Sequence, residues 1–152
     1  MTSLPQDGRR KRKMARRDLS EKVHRYNKNN FGKTLIVGDL HGMRTAMEHA
    51  LSLIGFDKSK DVLYATGDLI DRGSENFETL DLIYEDWFRS VRGNHDEMMI
   101  QTQLNCCNDH KRTWIGNGGM WMLTESPMKL GDYARDMKKK MPLVIVVGDG
   151  AD

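Results

Sequence analysis

A chain of 152 residues is long enough for one domain with a real core, and a single domain is expected before two. Its longest apolar runs, Thr34 to Val37 and Leu143 to Val147, are a few residues each, which excludes a membrane-spanning helix, and the basic N-terminus lacks the apolar stretch of a secretory signal, so a soluble cytoplasmic protein is expected. The formal net charge of +2 conceals two parts: residues 1–29 hold ten Lys/Arg against three Asp/Glu, whereas residues 30–152 hold fourteen against nineteen.

Residues 8–17 read GRRKRKMARR, with almost nothing apolar to bury, so residues 1–29 are read as a basic, disordered arm and residues 30–152 as the globular part. Block charge alone is unspecific; a solvated leader is preferred over a contact with nucleic acid or an anionic surface. From Lys33 the texture changes. Thr34-Leu35-Ile36-Val37 reads as a buried parallel strand ending in Gly38-Asp39. Met43 to Ile54 follows at helical spacing, with Gly55 as its C-cap. Val62 to Thr66 is a second strand ending in Gly67-Asp68, Phe77 to Tyr84 a second helix, and Phe88 to Val91 a third strand ending in Gly93-Asn94. This β-α-β-α-β alternation predicts an α/β fold with a parallel sheet, whose three strand ends lie side by side on the edge where open α/β sheets bind ligands.

Beyond Asn94 the pattern predicts a helix over about Asp96 to Leu104, a polar loop around Cys106 to Lys111, a glycine-containing segment at Gly116, Gly118 and Gly119, and an amphipathic helix near Met128 to Lys140. Cys106 and Cys107 are sequence neighbours and cannot staple distant parts of a fold, which fits a reducing compartment. Pro142 to Val147 reads as a final strand entering a turn at Gly148-Asp149-Gly150, with no return strand after it.

Three segments carry chemistry: Gly38-Asp39-Leu40-His41-Gly42, Gly67-Asp68-Leu69-Ile70-Asp71-Arg72-Gly73 and Arg92-Gly93-Asn94-His95-Asp96. A carboxylate and an imidazole two residues apart on a glycine-flanked loop can turn toward one cation, so Asp39 and His41 make half of a metal site. Asp68 supplies a carboxylate from the next strand that can bridge two metals, and Asn94 offers an amide oxygen to the second. Such a donor set suits Mn²⁺, Fe or Zn²⁺, and two ions about 3.5–4 Å apart can hold a hydroxide for in-line attack at phosphorus. Arg72 and Arg92 each follow a strand-end motif, where a guanidinium fork matches phosphate oxygens. His95 can protonate the leaving alkoxide, with Asp71 fixing its tautomer. Each residue alone has a bland explanation as a turn or a surface ion pair, but three strand-terminal motifs bringing different required groups to one sheet edge do not.

These segments resemble the GDxHG, GDxxDRG and GNHE signatures of the phosphoprotein phosphatases within the calcineurin-like metallophosphoesterases, most closely the bacteriophage lambda type. The similarity runs from about Lys33 to Val147. It implies a β-sandwich flanked by helices, Asp39, His41 and Asp68 on a first metal, Asp68 and Asn94 on a second, Arg72 and Arg92 on the phosphate, and His95 with Asp71 as the proton-donor pair. By the same resemblance the cofactors are two divalent ions, Mn²⁺ by preference, and the substrates are phosphoserine or phosphothreonine proteins, with phosphotyrosine also accepted.

The sequence departs from that pattern in its later half. The family completes the second metal with two histidines from a return strand and a later loop and adds a further arginine, whereas only His110 follows His95 here, and it is read as a surface residue. The chain is therefore read as the N-terminal half of the fold with the C-terminal sheet largely missing, the second metal site incomplete, and the Leu143 to Val147 face uncovered. Asp96 stands where the signature has Glu and is read as a subfamily marker that touches no ligand. Three readings stay open: a protein phosphatase by ancestry with weak or no turnover in this form, a non-catalytic metal- or phosphate-binding module completed by a partner chain, and a diadenosine-tetraphosphate hydrolase-like enzyme. The resemblance disfavours the last, since such hydrolases usually carry a different residue at the Asp71 position.

Overall fold

The computed structural model describes residues 22–105 and 108–148. Along them run β1 (Val23–Tyr26), β2 (Thr34–Val37), α1 (Arg44–Leu53), β3 (Val62–Ala65), α2 (Asn76–Leu80), β4 (Phe88–Ser90), α3 (Asn94–Asn105), α4 (Asn108–Gly116), α5 (Pro127–Lys140) and β5 (Val144–Val147), with 3-10 turns at Asp81–Tyr84 and Gly119–Thr124.

Strands β2, β3 and β4 form a parallel sheet in that order, with Leu35 beside Leu63 and Leu63 beside Phe88. Alternate residues face opposite sides, so Leu63, Ala65 and Phe88 are buried in one core with Met47 and Leu51 of α1, Met99 and Ile100 of α3, Trp114 of α4, and Leu130 and Met137 of α5. The predicted β-α-β-α-β unit is thus present, and its three strand ends are neighbours. The expectation that Thr34–Val37 is buried on both faces is not met: β2 is an edge strand and Ile36, on the face away from that core, is 76% exposed.

Two other expectations need correction. The basic arm does not extend to residue 29, because Val23–Tyr26 pairs in parallel with β5, Val23 opposite Val144 and Tyr26 opposite Val147. A strand-prone valine and tyrosine inside a charged stretch suffice for four residues of pairing, and Tyr26 then packs edge-on against Tyr64 of β3, ring centroids 6.2 Å apart. His24 is half-buried in that strand. Residues 1–21 of the arm lie outside the described residues. The final strand therefore finds its partner near the N-terminus, while Leu143, Val144 and Val147 stay 47%, 47% and 40% exposed.

The polar loop expected around Cys106 to Lys111 is helical from Asn108, so His110 sits on an exposed turn of α4. Helix α4 is polar over its first turns, which hides it from a periodicity reading, and it is anchored near its end by the fully buried Trp114, with Ile115 packed beside it against the core. Cys106 and Cys107 lie outside the described residues. No helix among the described residues is long and apolar enough to cross a membrane.

Candidate metal centre

The loops leaving β2 and β3 are tied to one another by main-chain hydrogen bonds that extend the sheet past its strands. The amides of Leu40 and His41 both donate to the Asp68 carbonyl, at 3.1 and 2.9 Å, and Gly42 N–H donates to Leu69 at 2.8 Å. Farther on, Gly73 N–H donates to the His41 carbonyl at 2.9 Å. To make these contacts the chain adopts left-handed backbone at His41 (φ 42), Asp68 (φ 51), Asp71 (φ 73) and Arg72 (φ 72), the only non-glycine residues with positive φ among the described residues. All four are residues singled out from the sequence for chemistry. Backbone strain held at a site by surrounding bonds, at about 1–3 kcal/mol per residue, is a mark of function more than of packing.

The geometry of the two imidazoles follows from their partners. His41 Nδ1 lies 2.9 Å from the Ile70 carbonyl, which can only accept, so Nδ1 carries the proton and Nε2 presents a lone pair. His95 Nδ1 lies 2.7 Å from Asp71 Oδ2, which leaves its Nε2 in the same condition. The rings meet edge to face with centroids 4.9 Å apart. Into the space between them Arg72 donates from one Nη to His41 Nε2 at 2.7 Å and from the other to His95 Nε2 at 3.2 Å.

His41, Asp68 and His95 place one donor atom each within 4.8 Å of one another, and Asp39 Oδ2 stands 3.7 Å from His41 Nε2. Two imidazole nitrogens with carboxylate oxygens, each imidazole fixed through its other nitrogen, are a donor set that fits a first-row divalent ion. Asp68 is oriented as well, since its Oδ1 accepts the His95 amide at 2.8 Å. Asn94 opens α3 next to His95 with its side chain exposed. The structure therefore brings Asp39, His41, Asp68, Asp71, Arg72 and His95 into one cluster with Asn94 beside it, and it adds His95 to the atoms that face a cation.

Arg92 is the exception. Its guanidinium, expected on phosphate, donates instead to Glu97 at 2.9 Å and to the carbonyls of Lys138 and Met141, both at 3.0 Å. The last carbonyls of α5 have no partner within their helix, and a guanidinium next to a carboxylate satisfies them. Arg92 thus fastens the β4 loop to α5.

Asp96 also corrects the sequence reading, which gave it no contact with a ligand. Wholly buried, it accepts the amides of Asp68 at 2.8 Å, Leu69 at 3.0 Å and Gly93 at 2.9 Å, and so staples the β3 loop to the β4 loop. Burial pushes its carboxyl up to about 6 against the pull of those three donors. Sequence reasoning also passed over the indoles of Trp114 and Trp121, which reach Asp71 from far along the chain. A tryptophan spacing alone does not say where its N–H points.

Gly93 and Gly67 allow the closest approach in the site: a Cβ at Gly93 would overlap the Asp68 carboxylate, and one at Gly67, whose φ is 97°, would overlap the Gly93 backbone. Gly93→Ala is accordingly expected to displace the carboxylate and weaken divalent-metal binding by about tenfold or more, the scale set by disturbed ligand orientation. Equilibrium dialysis of the variant against Mn²⁺ checks this; unchanged affinity would show that the contact is slack.

Comparison with known proteins bears on the same residues. Residues 32–149 match the family model for calcineurin-like phosphoesterase. A serine/threonine-protein phosphatase 1 of Salmonella typhimurium is 36% identical over 92 residues, covering 60% of this chain and 41% of the relative. A symmetrical bis(5'-nucleosyl)-tetraphosphatase of Buchnera aphidicola is 36% identical over 86 residues, covering 55% and 31%. A solved structure provisionally described as a diadenosine tetraphosphatase superposes with a TM-score of 0.60 at 25% identity, covering 83% of this chain and 50% of the other. The chain thus spans less than half the length of these two curated relatives.

Proposed function

Because the chain belongs to the calcineurin-like phosphoesterase family, whose members use divalent metals, we propose that it hydrolyses phosphoserine and phosphothreonine esters of proteins. The observation that carries this is the convergence of two imidazole Nε2 lone pairs, the Asp68 carboxylate and the Arg72 guanidinium at the edge of a parallel sheet.

His41, Asp68 and Asp39 hold the first ion in this reading, and Asp68 with Asn94 the second. Bound divalent ions, Mn²⁺ by preference, supply Lewis acidity at the phosphoryl oxygens and a nucleophile at neutral pH. The chain's own residues do the rest. Arg72 already presents a two-pronged donor to acceptors in the cluster, and its fork matches the non-bridging oxygens of a phosphoryl group. His95, backed by Asp71, aims Nε2 into the same space; with a proton taken up there from solvent it is the imidazolium that Asp71 stabilises, and it passes that proton to the leaving oxygen.

With Mn²⁺ added, the purified chain is expected to hydrolyse p-nitrophenyl phosphate and a phosphoserine peptide, and chelation is expected to stop both. Metal-saturated protein inert toward every phosphoester would defeat the reading. Nucleoside polyphosphates are a second substrate class, favoured by the Buchnera relative and by the solved structure that superposes at 0.60. Diadenosine tetraphosphate cleaved faster than the peptide would decide for it. Asp71, fully buried against His95, supports the protein-phosphatase reading by the resemblance of its motif.

A further inference from the structure

The Asp71 carboxylate is out of contact with solvent, and its oxygens receive three N–H donors. One is His95 Nδ1. The others come from outside the strand-end motifs: Trp114 Nε1 lies 3.0 and 2.9 Å from the two oxygens, and Trp121 Nε1 lies 2.7 Å from Oδ1. From this we infer that Trp114 and Trp121 are positioning residues, whose indole donors fix the Asp71 carboxylate and through it hold the His95 ring with Nε2 aimed into the cluster.

The argument begins with what an indole is able to do. It donates one hydrogen bond and accepts none, so neither tryptophan can exchange roles with Asp71 as a hydroxyl or a second imidazole would. With both indoles in place the carboxylate is an acceptor on every side, and the group facing it across Oδ2 must be a donor. The Nδ1–H tautomer of His95 follows from that requirement, and with it the lone pair on Nε2.

The network is also stiff. The two indoles meet at 90° with centroids 5.8 Å apart, and Trp121 stands edge-on to Phe77 at 5.4 Å. Gly119, between them in the chain, lies so close that a Cβ would overlap the Trp114 ring. A core tryptophan needs some acceptor for its N–H, and a nearby carbonyl would serve. Here two tryptophans from different elements converge on one carboxylate, the same one that holds the site histidine.

The consequence for turnover rests on the hydrolase reading above, so the test has two arms. In Trp121→Phe and Trp114→Phe the ring volume is largely kept and the donor removed. If the indoles position His95, kcat for a phosphoserine peptide falls about tenfold, the scale of lost partners behind an active-site histidine, with KM unchanged. The loss on p-nitrophenyl phosphate is smaller, because p-nitrophenolate leaves without needing a proton. Equal losses on both substrates would mean that the tryptophans only hold up a wall, and the inference would fall.

The second arm needs no turnover. Nitrogen-15 NMR of the histidine rings in the full chain is expected to show His95 as the single Nδ1–H tautomer in the parent and as a mixture in the Phe variants. An unmixed tautomer in both variants overturns the inference. A parent chain inert toward phosphoesters would remove the proposed activity and leave the tautomer measurement to decide the network.

Discussion

Asp68→Ala is expected to abolish divalent-metal binding at the cluster and to lower hydrolysis of phosphoesters by about a thousandfold or more. Loss of partners behind a metal ligand already costs about 10–100-fold, and Asp68 is a proposed ligand on both ions. It is also the residue on which all three loops converge: its carbonyl takes the amides of Leu40 and His41, its amide goes to Asp96, and its Oδ1 takes the amide of His95. Alanine keeps the first two contacts and deletes the third together with the charge. Asp68→Asn separates these effects, because the amide oxygen can still accept from His95 while the anionic ligand is gone. Metal stoichiometry and kcat/KM measured on both variants are expected to collapse alike. An alanine variant that binds metal at the parent's stoichiometry and turns over would remove Asp68 from the chemistry and the proposed function with it.

The largest loss of stability is expected at Asp96. Asp96→Ala strips the partner from three amides of the β3 and β4 loops, leaving the His95 amide to Asp68 as the main remaining tie between them, and an unsatisfied buried donor costs about 1–3 kcal/mol. Water entering the space left by the carboxylate recovers part of this, so a net loss of about 3–5 kcal/mol is expected, a large share of the roughly 5–15 kcal/mol that holds a typical domain together. Urea denaturation of parent and variant provides the comparison. A change of under about 1 kcal/mol would mean that the loops are held by their backbone ladder and that Asp96 is incidental.

The parts of this site visible in the sequence are those with a local signature. Three short strand-like runs with helices between, two ending in glycine and aspartate and the third in glycine and asparagine, mark both a parallel sheet and the edge on which Asp39, Asp68 and Asn94 emerge. The pairing of His95 with Asp71 follows from the same motifs. What escaped notice depends on contacts between distant segments. Val23–Tyr26 looks like part of a charged leader until β5 offers it an edge, and Arg92 looks like a phosphate ligand until α5 presents two bare carbonyls. Asp96 and the two tryptophans are silent for the same reason, since hydrogen bonds over 27 or 28, 43 and 50 residues leave no periodicity to read.

The twisted main chain at His41, Asp68, Asp71 and Arg72 has a bearing on how this protein would respond to laboratory selection. A left-handed L residue gives up about 1–2 kcal/mol, whereas glycine there gives up only about 0.5–1 kcal/mol of chain freedom. Variants enriched for heat resistance alone would drift toward glycine at Arg72, the exposed one of the four, and so lose its guanidinium, whereas Asp71→Gly would strand the three buried N–H donors that its carboxylate satisfies. Durability and reactivity are opposed in this molecule at Arg72, so a robust version of it has to be sought elsewhere in the chain.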